Sequence, residues 1–234
     1  MNYTFNWALI FAGEYGRWFV DGLAVTLELS GISILFALLL GTLLTVLRLS
    51  RVRPLVWFSA AYVEFFRNTP LMVQIFFWYF GSDPILPDFF KKWLYQQNIE
   101  FATAVIALST YTAAFIAEEL RSGILSIPKT QLEASRATGL TFIQAMRYVI
   151  LPQAFRIIIP PLISQFLNLI KNSSLAMTIG VMELTYMARQ VEAHTFHGFE
   201  AFTVSTLIYL SLSLLVSFII NQYNKHFLHI GSRR

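Results

Sequence analysis

Cysteine is absent from all 234 residues, which excludes disulfides and cysteine-based metal sites and leaves the redox compartment open. Charge is scarce too. Only 13% of the residues are Asp, Glu, Lys or Arg against 56% hydrophobic, a balance too apolar for an ordinary soluble domain. No Gly-Lys pair occurs, so the chain has no Gly-x-x-x-x-Gly-Lys-Ser/Thr loop with which to cradle ATP phosphates. The first 21 residues, with Trp7, Glu14, Arg17, Trp18 and Asp21, lack a basic start followed by a small-residue cleavage site, and no cleaved signal is expected there. The formal net charge of +4 is spread among loops rather than gathered into a stripe, which argues against a nucleic-acid partner.

Long apolar runs fill the space these absences leave. They cover about 22–47, 56–80, 101–120, 155–180 and 202–222, each near the ~20 residues that cross a bilayer as a helix. The expected fold is therefore an all-α membrane protein, one domain over 1–234 with five transmembrane helices and lipid around it. Glu64, Arg67, Asn68 and Pro70 interrupt the second run, and Pro160-Pro161 break the fourth. In the first run Ser33, Ala37 and Gly41 recur every four residues, a small-residue face on which another helix can approach closely.

The basic residues set the orientation. Twelve (Arg48, Arg51, Arg53, Arg67, Arg121, Lys129, Arg136, Arg147, Arg156, Lys225, Arg233 and Arg234) fall on one side, and four (Arg17, Lys91, Lys92 and Arg189) on the other. The richer side is expected to be cytoplasmic. Five spans then place the N-terminus outside, the C-terminus inside, and the polar segment between the third and fourth runs in the cytoplasm.

That segment, 126–152, has its own helix signals. Pro128 suits a first turn, good helix formers follow, and Gly139 stands where a helix commonly ends. Thr141 with Gln144 three residues on is a capping-box pattern, so a second short helix should begin there and run until Pro152 ends or kinks it. By composition alone it is a solvated amphipathic linker.

Glu133-Ala134-Ser135, Gly139 and Ile150-Leu151-Pro152 resemble the Glu-Ala-Ala loop of bacterial ABC importer permeases. The flanks are similar to the polar amino-acid subfamily: Phe66-Arg67-Asn68-Thr69-Pro70-Leu71 with Val73-Gln74, Ser126-Ile127-Pro128-Lys129, Pro160-Pro161-Leu162, and Lys171-Asn172-Ser173-Ser174-Leu175. Tyr62 to Leu71 and Thr178-Ile179-Gly180 look most like the glutamate/aspartate import permeases; Asn172 and Asn68 replace the Asp and Gly that many amino-acid permeases carry there.

The resemblance implies a type I importer permease fold in the bacterial inner membrane, whose cytoplasmic coupling helix inserts into a dimer of ATP-binding subunits. ATP would be bound by that partner, leaving this chain without cofactor, metal or enzymatic role. It also implies a second permease chain, similar but distinct or a copy, and a periplasmic amino-acid-binding protein. Leu132, Glu133, Ala134, Ala137, Gly139, Leu151 and Pro152 are then the ATPase-coupling candidates. Glutamate/aspartate import is the expected function, with glutamine or basic amino acids as the alternative.

Polar residues within the fourth run are the candidates for a substrate path. Gln165, Asn168 and Asn172 recur on one helical face with Lys171 beside them, and amides with a cation suit an acidic amino acid. Amides that hold helices together, and a lysine that snorkels to the interface, are the structural alternative. His194/His197 and His226/His229 have metal-like spacing but no fixed third ligand, so ordinary interfacial histidines are expected. Glu118 with Arg121 is expected to be an interfacial ion pair. An ion-gradient-driven carrier remains the different-class alternative, although five spans without a visible inverted repeat are few for one.

Overall fold

The computed structural model describes residues 4–11 and 13–227, and every regular element among them is helical. In chain order these are α1 (Trp7–Phe11), α2 (Gly13–Leu49), α3 (Arg53–Asn68), α4 (Leu71–Phe76) with a π turn at Phe77–Gly81, and α5 (Asp88–Tyr95). Then come α6 (Ile99–Leu125), α7 (Lys129–Ala137), α8 (Phe142–Ala145), a π turn at Met146–Ile150, and α9 (Leu151–Asn172). A 3-10 segment at Ser173–Ile179, α10 (Leu184–Thr195) and α11 (Gly198–Phe227) complete the order.

Among the described residues four helical stretches are long and apolar enough to cross a membrane: Gly13–Leu49, Ile99–Leu125, Phe142–Ile179 and Gly198–Ile219. The expected first run begins earlier than its apolarity indicates. No proline separates Gly13 from Gly22, and Glu14 in the first turn complements the positive helix end while Arg48 sits in the last turn. At 37 residues α2 is about 55 Å long, well beyond a ~30 Å hydrocarbon layer.

The expected second run, 56–80, is not one helix. Thr69 precedes proline, which disfavours helical backbone, and it adopts φ −109°, ψ 140°. The end of α3 is closed by side chains: Asn68 Nδ2 donates to the Glu64 carbonyl at 2.8 Å, and Thr69 Oγ1 to that of Phe65 at 2.9 Å. Only the shorter stretch Leu71–Gly81 continues as apolar helix.

The fourth run departs in the opposite sense. Pro160 and Pro161 lie inside α9 without ending it, and helix extends across Pro152 as well. Proline removes one ladder donor and crowds the carbonyl four residues back. Ahead of Pro152 the π turn widens the ladder, and Gln153 Nε2 donates to the Val149 carbonyl at 2.7 Å.

The chain divides into two compact units. Of the described residues, the first takes those up to Leu35, Pro70–Ser109 and Leu167–Ile219; the second takes Phe36–Thr69, Thr110–Phe166 and those from Ile220. In the first, Ile10, Phe19, Leu184, Ala188, Val191, Ala201 and Val204 form the core. In the second, Ala37, Leu44, Val63, Ala113, Ile116 and Ala117 form one cluster, and Ile127, Ile150, Ala154 and Ile158 another. The small-residue face of α2 meets α6 as its spacing predicts. A Cβ on Gly41 would lie 2.7 Å from Ile116 Cγ2 and 3.0 Å from the Ala113 carbonyl oxygen.

The first unit also buries a carboxylate that its sequence does not advertise. Glu183 is fully buried as the N-cap of α10, accepting from the Tyr186 amide at 2.8 Å, the Thr185 amide at 2.9 Å and the Tyr209 hydroxyl at 2.7 Å. Burial pushes its carboxyl above the usual range, against those hydrogen bonds, which pull it down. The native state therefore holds the proton more tightly than the unfolded chain. That contribution is fully present below the unfolded value of ~4.3 and is lost as pH rises through the raised one. Thermal unfolding at a series of pH values should show this slope in the native protein and not in Glu183→Gln. Glu183→Ala should lose about 1–3 kcal/mol at every pH, because Tyr209 and two amides lose their acceptor.

Candidate functional site

The segment between α6 and α9 is fixed at both ends before it presents anything. Ser126 Oγ donates to the Gly123 carbonyl at 2.7 Å, and Ile127 is buried in the second unit's cluster with Ile150, Ala154 and Ile158. Pro128, with φ −56° and ψ 135°, is the residue before α7 rather than part of its first turn. At the other end of α7, Gly139 has φ +92°. Its amide bonds the Arg136 carbonyl at 3.1 Å and the Leu140 amide bonds that of Ser135 at 3.3 Å, the paired closure of a left-handed helix stop. Arg136 Nη1 adds a bond to the Leu140 carbonyl at 3.0 Å.

The predicted capping box opens α8. The Gln144 amide bonds Thr141 Oγ1 at 3.3 Å, and the Thr141 amide bonds Gln144 Oε1 at 2.8 Å. No atom lies within 4 Å of a Cβ built on Gly139, so backbone conformation rather than space demands glycine there.

This scaffold sorts the coupling candidates into two faces. Leu132 is half-buried against Ile127, Ile150, Ala154 and Ile158, and buried Ser135 donates to the Leu132 carbonyl at 2.8 Å. Glu133, Ala134, Ala137 and Gly139 are exposed on α7 and its stop. Leu151 is half-buried and Pro152 exposed at the start of α9. Sequence reasoning passed over Phe142 and Ile143, which are 55% and 76% exposed. Two adjacent large apolar residues directly after the capping Thr141 were the available signal. Exposed apolar side chains beside a charged residue on a rigid turn form a surface suited to a partner.

The four path candidates lie on α9 with differing environments. Gln165 Nε2 donates to Glu119 Oε1 at 3.5 Å, a long contact within the second unit. Asn168 and Lys171 are exposed and Asn172 half-buried. The expected ion pair is present: Arg121 Nε and Nη2 meet Glu118 Oε2 and Oε1 at 3.0 and 2.6 Å. His194 Nδ1 lies 2.7 Å from the Gln190 carbonyl, and His197 Nδ1 3.3 Å from Glu200 Oε1. No group of three His, Asp or Glu residues suited to a metal occurs among the described residues. His229, Arg233 and Arg234 lie outside them.

Known proteins resemble this chain in sequence and in fold. The family described as the binding-protein-dependent transport system inner membrane component matches residues 33–228. The probable glutamine ABC transporter permease protein GlnM of Bacillus subtilis is 41% identical over 207 residues, 88% of this chain and 92% of its own. The glutamate/aspartate import permease protein GltJ of Escherichia coli is 36% identical over 226 residues, 92% of each chain. A crystal structure of an amino acid ABC transporter with histidines superposes with a TM-score of 0.85 at 30% identity, over 96% of this chain and 100% of that one.

Proposed function

Because the chain belongs to the family of binding-protein-dependent transport system inner membrane components, we propose that it is the permease subunit of an ATP-driven importer of amino acids. It is a multi-pass inner-membrane protein with the type I importer permease fold, and the transport component of its assembly rather than the enzyme. One observation carries the mechanism: Glu133, Ala134, Ala137, Phe142 and Ile143 stand exposed on a turn clamped at both ends. Such a turn can pass on a push without dissipating it in its own bending. ATP is bound and hydrolysed by partner subunits docked on this loop, beside a second permease chain. A periplasmic protein delivers the substrate. The loop faces the cytoplasm, with the N-terminus outside, as the distribution of basic residues supports.

Glutamate and aspartate are the substrates this reading favours, because Lys171 stands exposed beside the amides of Asn168 and Asn172 on one helix. Glutamine is the second reading, favoured by the 41% identity with a probable glutamine permease. ATP-dependent uptake of labelled glutamate, aspartate, glutamine, arginine and histidine decides between them, in vesicles holding the complete assembly and its binding protein. Selective uptake of the acidic pair supports the first reading, and glutamine uptake replaces it with the second. Lys171→Met should then reduce acidic uptake by about tenfold and leave glutamine within about twofold, since one desolvated charge contact is worth ~1.5–3 kcal/mol. Equal loss for both would remove the charge-selective role of Lys171.

A further inference from the structure

Within the second unit, charge reaches alongside the apolar stretch of α6. The Arg67 guanidinium, at the C-terminal end of α3, lies over the Phe115 ring with its Cζ 5.4 Å from the centroid. Phe115 precedes the end of α6 at Leu125 by ten residues, about 15 Å of helix, so this cation stands beside the span and not past its end, which takes it out of the cytoplasmic group of basic residues in which its sequence position placed it. Arginine does not shed its proton in a protein. A permanent charge at such depth faces a water-filled path or an anion, and residues of this kind mark ligand routes.

The acidic neighbours are already engaged. Both oxygens of Glu118 are taken by Arg121, at 3.0 and 2.6 Å, and Glu64 Oε2 accepts from Asn68 Nδ2 at 3.0 Å. Arg48, like Arg67, is within electrostatic range of Glu118, and its Nη1 is buried without a hydrogen-bond partner. Three guanidiniums therefore act on Glu118, which Arg121 already engages through both oxygens, and exposed Arg67 makes no ion pair among the described residues. We propose that Arg67 receives the α-carboxylate of the transported amino acid. This rests on the amino-acid permease reading and adds the group through which the substrate is held. An α-carboxylate is common to glutamate, glutamine and arginine, so the site serves any of these substrates. The guanidinium fork matches a carboxylate in two parallel hydrogen bonds, while Phe115 supports one of its faces.

The natural lack of cysteine makes the test direct. Arg67→Cys places a single thiol in this subunit, to be studied in the complete assembly in liposomes, with the same assembly carrying the native chain as the control for partner thiols. Uptake of labelled glutamate and glutamine by Arg67→Cys should fall on the order of tenfold. Aminoethyl methanethiosulfonate, which attaches a cation, should restore part of it; the sulfonatoethyl reagent should not. Saturating substrate should slow the labelling several-fold, and γ-aminobutyrate, glutamate without its α-carboxylate, should not slow it. Undiminished uptake in Arg67→Cys, or labelling indifferent to substrate, overturns the proposal. Should that variant fail to assemble, Arg67→Lys serves. Its equilibrium binding of labelled amino acid should weaken several-fold while the assembly is recovered with its partner subunits in native proportion, and unchanged binding overturns the assignment. Failure of the permease reading itself would look different, because the native assembly would take up no amino acid at all.

Discussion

Replacing Gly139 by Glu should lower ATP-dependent uptake by more than tenfold while the chain still inserts and is recovered from the membrane. The effect begins with the backbone. At φ +92° a residue with a Cβ is strained by about 1–3 kcal/mol, and relaxing that strain unmakes the two hydrogen bonds that close α7. Steric crowding adds nothing, since the position opens to empty space. The added charge then falls beside Ala134 and Ala137, on the face assigned to the ATP-binding partner. Gly139→Asn should be the mildest substitution, because asparagine enters the left-handed region most readily of the non-glycine residues. Uptake, stimulated ATP hydrolysis and membrane content measured together separate loss of coupling from loss of protein. A Gly139→Glu assembly with native uptake would remove the loop from the coupling role.

A second large effect is expected where α6 and α9 meet. A Cβ built on Gly123 overlaps Cγ1 of Ile158, a side chain 1% exposed between Ile127, Ile150 and Ala154. The neighbour has no free volume to move into, so Gly123→Val forces the helices apart and should cost about 3 kcal/mol, the upper end for an overpacked core. The expected result is a sharp drop in the yield and thermal stability of the purified assembly. Ile158→Ala alone should also destabilise, by about 2–5 kcal/mol through the cavity it leaves. Combined, the two changes should be less harmful than their sum, since each fills or vacates the same space. Strict additivity would mean that this contact does not form.

Much of the architecture follows from local chemistry readable in the chain. The capping box at Thr141 and Gln144, the stop at Gly139 and the small face of α2 each depend on residues near in sequence, and each is where its spacing places it. What depends on tertiary support was not legible. Proline punctuates a sequence strongly, yet Pro152, Pro160 and Pro161 sit within continuous helix, and at Pro152 a widened turn precedes the proline while the Gln153 side chain bonds the Val149 carbonyl. At Thr69-Pro70, by contrast, the break is real, and side chains of Asn68 and Thr69 already cap it. Glu183 carries no local signal of its burial, since nothing in its neighbourhood announces the Tyr209 hydroxyl 26 residues later. Within the loop, Leu132 offers the same apolarity whether it faces a partner or its own core, and only packing showed the second.

The wide turn at Met146–Ile150 has a bearing on how this region is compared among proteins. It accommodates one residue more than an α ladder, so the angular phase of the helix jumps by roughly 100° across it. A helical wheel drawn through 142–172 as one cylinder therefore misassigns every position on one side of the jump. Phe142 and Ile143 belong to a separate wheel from Leu151 onward. Shortening this stretch by one residue would keep the helix nearly as long yet swing their side chains through more than a quarter turn, so that length here encodes direction.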